Sequence, residues 1–505
     1  MTMNRNKILL VYPKVGMSGS FACHLPLSLL YAAADSIKAG FEVDIVDVRL
    51  CPQKWKEAIS AKISSGTILA GLSVMTGTPI KNALEISRWI RSSYSHVKVV
   101  WGGPHAAFNG AEILRERSID YVVSGYGSLP LSRIARFLRG DKDALQLEDI
   151  SGLSYRKNGS IMSVPRENKF ELINYKDIPY HLIEKDLGRY GQLDNGEIIF
   201  PMYSVVGCPY HCAFCSSPAQ YRDFTNKYER ISSQEVVDHI EFVKNGYGAE
   251  YIYFIDDDSF VNLEHVTKII DEVNSRALKV RLGFRGARID EIKKMDDEYL
   301  EKLVDVGTDI LHVGAESGSQ RMLDLIRKDI TVDDIIFVNK KMARHSRIVT
   351  TYNWIVGLPG ETEGDLRKTR ELIMTLLGDN PTAIIVMPNK YRPLPGTELY
   401  EHALRHGYKK PARLEDWIDR EAEGSWRMPW YTKETAKMID MMQVTSFFID
   451  DKIFKVRTGR TLKFLLARLV SWIYAPIARL RFKHGFSGML VEHKLFQWSV
   501  SAFRK

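Results

Sequence analysis

The sequence predicts an α/β protein with a doubly wound parallel sheet, a partial (β/α)6 barrel and a helical C-terminal region. Short β-rich runs alternate with helical stretches over residues 7 to about 140, and the same alternation returns from 196 to about 400. This pattern is typical of parallel sheets with helices on their faces. A length of 505 residues also exceeds one ordinary domain. We therefore predict domains at 1–145 and 196–400, a linker with a hairpin at 146–195, and a helical domain at 401–505.

The first unit is predicted to contain five strands, each followed by small or turn-forming residues. Ligands of a doubly wound sheet bind outside the carboxyl ends of its strands, so these loops are candidate binding loops. The strands are predicted at Ile8–Tyr12, Val43–Val46, Ile68–Val74, Val97–Trp101 and Tyr121–Val123.

The linker and the second unit carry their own signals. Asn158-Gly159, inside the segment Gly152–Met162, is a strong two-residue turn signal and predicts a hairpin. Six strands at βα spacing follow, enough for a partial barrel whose active-site residues gather at the carboxyl ends of the strands. These strands are predicted at Met202–Val206, Tyr251–Ile255, Val280–Phe284, Ile310–Val313, Thr351–Val356 and Ala383–Met387.

The net charge of +8 is distributed unevenly. Residues 452–505 contain twelve Lys and Arg side chains and one Glu, which leaves a net charge of −3 on residues 1–451. The body of the protein therefore does not resemble a nucleic-acid binder, and no nucleic-acid partner is expected. The apolar run Lys7–Tyr12 is too short for an export signal, and the cysteines do not form a disulfide framework, so we expect a cytoplasmic protein.

Cys208, Cys212 and Cys215 place three thiols within eight residues. A structural zinc site closes with four ligands and usually with a second ligand pair, which this region lacks; a disulfide with a spare thiol is the other alternative. Iron-sulfur clusters are held by cysteine thiolates, and a 4Fe-4S cubane with three protein ligands leaves one iron open to another ligand. The three cysteines are therefore the predicted metal ligands.

The Cys-x3-Cys-x2-Cys spacing, with Phe214 before the last cysteine, resembles the signature of the radical S-adenosylmethionine (radical SAM) superfamily. The resemblance implies that SAM chelates the open iron and is cleaved to a 5′-deoxyadenosyl radical. The three carboxylates after the second barrel strand fit the SAM amine, although a solvated helix-capping cluster is the alternative. Tyr391, beside a Pro-Gly-Thr loop that could equally be a rigid turn, is the predicted catalytic residue. The residues expected at SAM are Phe214, Asp256, Asp257, Asp258, Arg285, Arg288, Glu316, Ser317, Gly357 and Pro359.

The region before this motif resembles the N-terminal domain of cobalamin-dependent radical SAM enzymes, in the runs Leu25–Tyr31, Gly40–Asp47 and Trp101–Ala106. Two features depart from the family: there is no Asp-x-His-x-x-Gly motif, and Ser124–Gly127 stands where Gly-Glu-Gly-Glu is common. The lower ligand of cobalt is therefore not assigned. The residues expected at cobalamin are Met75, Thr76, Gly102, Gly103, His105 and Gly125, although Met75 and Thr76 could equally be ordinary strand-end packing.

The two resemblances together imply a C-methyltransferase of the class B type, which acts on an unactivated carbon through a 5′-deoxyadenosyl radical and methylcobalamin. A cobalamin-associated radical SAM cyclase, oxidase or rearrangement enzyme is the alternative within enzymes. A non-catalytic iron-sulfur or cobalamin sensor is the alternative from another class. The expected partners are a small-molecule or lipid-like substrate and an electron donor such as flavodoxin or ferredoxin.

The apolar segment Leu462–Phe482 carries Lys463, Arg468, Arg479 and Arg481, and these charges together with Pro476 argue against a membrane-spanning helix. The composition fits an interfacial helix with cations against anionic headgroups, and thus a peripheral contact with the inner face of the membrane. The alternative is a helix packed on the protein with a basic face toward solvent.

Overall fold

A computed structural model of the chain describes residues 6–14, 24–191, 197–418, 427–452 and 462–488. Parts of the basic tail, residues 453–461 and 489–505, and the side chain of Lys463 lie outside this description. The ends of the predicted 1–145 and 401–505 domains therefore fall partly outside the described residues, and the domain boundaries remain predictions.

The first sheet is doubly wound, as predicted. Its parallel strands follow the order β2-β1-β3-β4-β5, which places the reversal of strand order between β1 and β3. One face packs on α1 and α5 and the other on α3 and α4, so the strands are buried on both sides. The strands are β1 (Lys7–Tyr12), β2 (Glu42–Asp47), β3 (Thr67–Ser73), β4 (Lys98–Gly102) and β5 (Tyr121–Val123). The helices are α1 (Leu27–Lys38), α2 (Trp55–Ser60), α3 (Pro79–Ser93), α4 (Ala106–Ile113) and α5 (Ser128–Arg139).

The predicted hairpin forms, and it extends the first sheet. Strands β6 (Leu153–Lys157) and β7 (Ser160–Ser163) are antiparallel, and β6 pairs with β5. Asn158 and Gly159 both have positive φ, 51° and 82°, as a two-residue type I′ turn requires. The hairpin covers an edge of β5 that would otherwise present unpaired backbone groups. A segment expected within the linker is thus part of the N-terminal sheet.

The second sheet has the strand order β15-β14-β13-β12-β11-β8, all parallel, with β16 beside β14. Six of these strands follow the open order that the sequence predicts, and β16 makes the sheet seven-stranded. Its strands are β8 (Ile199–Met202), β11 (Tyr251–Phe254), β12 (Arg281–Ala287), β13 (Ile310–Glu316), β14 (Val349–Val356), β15 (Ile384–Ile385) and β16 (Asn389–Lys390).

The first barrel strand differs from the prediction of Met202–Val206. It ends at Met202, because the amides of Ser204 and Val205 donate to the Asp256 carboxylate, at 2.7 and 3.1 Å, instead of continuing the ladder. Residues Val205–Gly207 form a separate strand, β9, antiparallel to β10 (Tyr228–Arg230). The chain therefore turns just before the cysteines.

Helices cover the outer face of the second sheet and continue into the C-terminal region. Tyr400 and Trp417 from that region join the apolar core beneath the first sheet, and the Trp417 indole donates to Glu112 at 2.6 Å. Within the described ranges no helix is long and apolar enough to cross a membrane. The barrel helices are α6 (Ser216–Gln220), α7 (Ser233–Tyr247), α8 (Leu263–Ser275), α9 (Ile289–Lys294), α10 (Asp297–Asp305), α11 (Gln320–Leu325), α12 (Val332–Arg344) and α13 (Glu363–Asp379). The later helices are α14 (Glu398–Arg405), α15 (Lys433–Thr445) and α16 (Leu462–His484).

Candidate active site

The three cysteines lie in the loop between β9 and α6, and all of them line one cavity of 300 Å³. The loop begins at Gly207, whose φ is +82° and where a Cβ would stand 2.5 Å from the Lys227 carbonyl oxygen, so only glycine fits there. The centre of the loop is held by backbone hydrogen bonds on both sides. The Ala213 amide donates to the Ile326 carbonyl at 2.9 Å, and the Ala213 carbonyl accepts from the Leu399 amide at 2.9 Å.

The donor set suits a cubane better than a single ion. In the part of the chain that the structure describes, no three His, Cys, Asp or Glu side chains converge closely enough to hold one metal ion. Thiolates that bind three different irons of a cluster do not need to converge on one point. Burial raises the pKa of the Cys208 and Cys215 thiols, and metal coordination is what would make thiolates of them.

Arg288 lies behind Cys212 and braces the cysteine loop. Its Nη1 donates to Cys212 Sγ at 3.3 Å, and its guanidinium lies 3.7 Å from the centre of the Tyr210 ring. The Tyr210 hydroxyl in turn donates to Glu291 at 2.7 Å. Arg288 is buried and pairs with Asp290 at 2.8 Å, so it contacts a predicted cluster ligand rather than the cavity in which SAM was expected to meet it.

The three aspartates after β11 have three different environments. Asp256 is buried and accepts four hydrogen bonds, from the Ser204 amide and hydroxyl, the Val205 amide and the Ser259 hydroxyl. Burial raises its pKa to about 6. Its lone pairs are thus occupied by the protein itself, and Asp256 serves to shape the chain before the cysteines.

Asp258 is buried next to Glu291. The two carboxyl groups are too close to be ionised together, so the pair holds a proton. Burial and the neighbouring carboxyl raise the pKa of Asp258 well above its usual range, and burial raises that of Glu291. Because Glu291 also accepts from Tyr210, Asp258 connects the end of β11 to the cysteine loop.

Asp257 is the exposed member of the three. It accepts from the Gly207 amide at 3.2 Å and the Ser217 hydroxyl at 2.5 Å, two groups that flank the cysteine loop on either side. It lines a large cavity together with Arg285, whose guanidinium is exposed and makes no hydrogen bond to the described residues. A carboxylate and an unpaired guanidinium on one cavity wall match the ammonium and carboxylate of an amino acid.

Glu316 and Ser317 lie at the end of β13, where the backbone is tightly constrained. Glu316 has a φ of +63° and pairs with Lys328 at 3.0 Å, and both side chains are buried. A Cβ at Gly314 would meet the Glu316 carboxylate at 2.3 Å, so a side chain there would displace the Glu316–Lys328 pair. The Ser317 hydroxyl is fully buried against Thr369 at 3.2 Å and does not line the cavity.

Gly357 and Pro359 form a buried turn at the end of β14. The amides of Gly357 and Leu358 both donate to the Glu361 carboxylate, and the Gly357 carbonyl accepts from the Trp430 indole at 3.0 Å. Glu361 is buried, which raises its pKa to about 8. The turn is rigid, but neither Gly357 nor Pro359 lines the large cavity.

Tyr391 does not line either cavity. Its amide donates to the Val356 carbonyl at 2.8 Å, and its ring lies beside Trp430 with 6.3 Å between the ring centres. The hydroxyl is buried and has no hydrogen-bond partner among the described residues. The catalytic role of Tyr391 thus stays a prediction, and the geometry gives it no contact with the reacting space.

The large cavity has a volume of 860 Å³ and is walled by both sheets. The carboxyl ends of β1, β3, β4 and β5 line one side, and Cys215, Asp257, Arg285 and the start of α6 line the other. Phe214, within the cysteine loop, is partly buried, packs against the apolar core of the second sheet and does not line the large cavity. The switch point of the N-terminal sheet thus faces the predicted cluster site directly.

Five of the six residues predicted at cobalamin line this cavity: Met75, Thr76, Gly102, Gly103 and Gly125. Met75 is 43% exposed, which is high for a large apolar residue at a strand end. Gly103 has a φ of +91°, and a Cβ there would stand 2.8 Å from the Val74 amide, so the backbone itself forms the wall.

His105, the sixth, is fully buried on the far side of the strand ends. Its Nδ1 lies 3.1 Å from the Thr76 hydroxyl, and its ring packs edge-on against Trp417 at 5.3 Å. Burial lowers its pKa to about 4, so the ring is neutral. The geometry places His105 behind Thr76 rather than in the cavity.

Several residues of the cavity wall were not predicted from the sequence. Tyr126, Tyr203 and Tyr221 bring three phenols to it, and Leu172 and Ile173 come from the predicted linker. Tyr126 stands within the Ser124–Gly127 loop, so its position after a strand could have marked it. The linker residues carry no local signal, because only the packing of the two domains brings them to the cavity.

Comparison with known families identifies both halves of this arrangement. The model described as "B12 binding domain" matches residues 14–135, and the model described as "Radical SAM superfamily" matches residues 202–373. The chain is a cobalamin-dependent radical SAM enzyme. These matches confirm the family predicted from the sequence and, with it, SAM, an iron-sulfur cluster and cobalamin as the cofactors.

Three known proteins illustrate what the enzyme is similar to. A Pyrococcus horikoshii protein described as an uncharacterized methyltransferase is 26% identical over 411 residues, covering 79% of this chain and 83% of that protein. An anaerobic magnesium-protoporphyrin IX monomethyl ester cyclase of Cereibacter sphaeroides is 27% identical over 308 residues, covering 60% of this chain and 48% of the cyclase.

The third is the radical SAM methyltransferase TsrM from Kitasatospora setae, whose structure is described with cobalamin and a [4Fe-4S] cluster bound. It superimposes with a TM-score of 0.66 at 16% identity and covers 99% of both chains. At this identity the likeness concerns the fold, and it confirms the predicted order of a B12-binding sheet, a radical SAM sheet and a helical C-terminal part.

Proposed function

We propose that this enzyme transfers a methyl group from SAM to an unactivated carbon, with cobalamin and a cluster-bound SAM facing each other across the 860 Å³ cavity. The observation that carries the proposal is the composition of that cavity. One wall consists of glycine-rich strand ends and the other of cysteine, carboxylate and guanidinium groups. The glycine-rich wall would leave room for a corrin ring, and the charged wall would bind the amino-acid end of SAM.

The residues present fit the three cofactors. Cys208, Cys212 and Cys215 share one cavity and would hold the cluster. Asp257 and Arg285 would take the ammonium and carboxylate of SAM, since both are exposed to the large cavity. Backbone at Gly102, Gly103 and Gly125 would support the corrin, and the remaining residues predicted at SAM would act by positioning these groups.

When bound, the cluster and SAM supply a 5′-deoxyadenosyl radical, and the corrinoid supplies the methyl group. The chain's own contribution is to orient these groups and exclude water. The Asp257 carboxylate accepts hydrogen bonds from Gly207 and Ser217, and these connect the cavity wall to both ends of the cysteine loop. Tyr203, whose pKa burial raises to about 12, stays protonated and offers a hydroxyl to the enclosed space.

The first experiment separates the two cofactor sites. Gly102→Val should abolish corrinoid binding and leave the iron content unchanged. A Cβ at Gly102 meets only the Val123 carbonyl, at 4.0 Å, so the fold accepts a side chain that the cavity does not. Cys212→Ala should do the opposite, with Cys51→Ala as the matched control because Cys51 lies outside the loop. Iron, sulfide and corrinoid are quantified after anaerobic purification. Corrinoid retained by Gly102→Val would contradict the proposed corrin site at the strand ends.

The second experiment tests the reaction. The reconstituted enzyme with a strong reductant and SAM should release S-adenosylhomocysteine together with 5′-deoxyadenosine. Arg285→Ala should weaken SAM binding by about tenfold or more, the loss expected for one charge-assisted contact, whereas exposed Arg367→Ala should not. Formation of 5′-deoxyadenosine without S-adenosylhomocysteine would refute methyl transfer.

That last outcome would favour the second candidate, a radical SAM cyclase or oxidase. The similarity to the porphyrin ester cyclase supports it, although the shared region covers less than half of that protein. The TsrM structure is described with tryptophan substrate, and this supports a small-molecule substrate. A small-molecule or lipid-like substrate in the large cavity is part of the proposal.

We also propose a partner protein that donates electrons to the cluster. Arg222, Lys227 and Arg327 line the cavity at the cysteine loop, and only Glu398 opposes them there. A positively charged rim beside a cluster suits an acidic carrier of the flavodoxin or ferredoxin type. We place the enzyme in the cytoplasm, where such carriers and a reduced cluster coexist, and propose no nucleic-acid partner.

A further inference from the structure

Helix α16 is held firmly on the body of the protein by one face. Ser471, Ala475, Ala478 and Phe482, at helical spacing, are buried against α13 and α15. Buried Arg370 donates to the Phe482 and Lys483 carbonyls at the end of the helix, and Arg479 pairs with Asp451 at 2.7 Å. The orientation of α16 is therefore fixed by packing and by hydrogen bonds.

The opposite face is apolar and exposed to solvent. Leu469, Ile473, Ile477 and Leu480 follow one another on it at 49–60% exposure, and Trp472 beside them is 71% exposed. Seven of the fourteen large apolar side chains exposed among the described residues lie between positions 469 and 486. Scattered exposed apolar residues are ordinary, but a continuous patch of this kind marks an interaction surface. The helix is packed on the protein, as one of the two predicted alternatives has it, but the described part of its solvent face is mainly apolar.

We propose that this face of α16 docks on the surface of an anionic phospholipid bilayer. The helix lies flat on the protein, so it presents its length to a plane rather than its end. Trp472 has the amphipathic ring that favours the membrane interface. Lys483 is exposed beyond Leu480, and the segment 452–505 carries twelve basic residues against one acidic residue. That charge attracts anionic headgroups.

The same charge argues against a second copy of the chain as the occupant. Helix α16 contains basic residues and no acidic residue, so face-to-face pairing of two copies would bring like charges together, which costs free energy. A bilayer with anionic lipid satisfies both the apolar side chains and the cations. The docking does not depend on the proposed methyl transfer, since no residue of the patch lines either cavity.

Flotation of the holoenzyme with lipid vesicles tests the proposal. The protein should bind vesicles of phosphatidylcholine containing about a third phosphatidylglycerol and bind pure phosphatidylcholine less, with binding weakened by salt. The double variant Trp472→Glu/Ile477→Glu should lose about tenfold or more of its partition coefficient. Phe337→Glu, which changes a 53% exposed apolar residue on α12, is the matched control and should bind like wild type.

Lys483→Glu separates the electrostatic part and should lower binding to anionic vesicles more than to neutral ones. Equal binding of the double variant and wild type, or no binding of wild type, would overturn the proposal. So would wild-type self-association in light scattering that the double variant abolishes, because the face would then belong to a second copy. Flotation measures partitioning into vesicles and not turnover, so a negative result would not contradict the proposed reaction.

Discussion

The buried pair of Lys328 and Glu316 yields the sharpest stability prediction. Their charged atoms are 3.0 Å apart, and the side chains are 7% and 9% exposed. At an effective dielectric constant of about 20, two charges at this distance attract by about 5 kcal/mol. Lys328→Met keeps the aliphatic stem but leaves the Glu316 carboxylate buried without its partner. We expect the free energy of unfolding to fall by about 3–5 kcal/mol.

The double variant Glu316→Gln/Lys328→Met distinguishes a lost charge pair from lost packing. It removes both charges and should recover at least half of the loss, because a buried neutral amide costs less than a buried carboxylate. The assay is urea unfolding of the iron-free proteins by tryptophan fluorescence. Lys340→Met is the control, since that lysine is 62% exposed and lies 3.9 Å from Asp379; it should change stability by less than about 1 kcal/mol. A Lys328→Met variant as stable as this control, or a double variant no more stable than the single one, would show that the buried charge pair does not stabilise the fold.

Two further predictions concern pH and backbone strain. The pKa of Glu361 rises from 4.5 in the unfolded chain to about 8 in the folded protein. Between these two pH values the native state holds a proton that the unfolded chain has released. The free energy of unfolding should therefore fall as pH rises across that interval, by at most about 1.4 kcal/mol per pH unit. Glu361→Gln should flatten this component in urea midpoints measured from about pH 5 to 8; parallel curves for the two proteins would show that Glu361 does not cause it. Gly207→Ala should lose most of its iron, because the new methyl group meets a backbone carbonyl at 2.5 Å. Gly246→Ala, where nothing lies within 4 Å, should retain full iron content, and an iron-replete Gly207→Ala would contradict the strain argument.

Strands were predictable wherever the pattern is local. The run Tyr121–Val123 matches β5 residue for residue, and Asn158-Gly159 gave the hairpin because a two-residue turn depends only on its own backbone. The first barrel strand was misplaced because Asp256, some fifty residues later, takes the amides of Ser204 and Val205. A side chain so distant leaves no trace in the periodicity of the strand.

The candidate site shows the same division. That the aspartates follow a strand was readable, but which of them faces the cavity was not. Asp256 and Asp257 both line the cavity, but only Asp257 is exposed, while the carboxyl groups of Asp256 and Asp258 are bound within the protein. Likewise His105 and Tyr391 stand in plausible loops, yet packing against Trp417 and Trp430 turns both away from the cavity.

Short stretches of the sequence were enough to predict the cofactors of this protein, through the cysteine spacing, the strand-end glycines and the order of the two β/α units. These features are local, because covalent spacing and backbone periodicity act over a few residues. The three-dimensional packing, in contrast, sets which side chains share a cavity and which face of α16 meets solvent. Burial depends on contacts between residues far apart in the chain, so no local pattern could distinguish the packed Ala475 and Ala478 from the exposed Trp472 and Ile473.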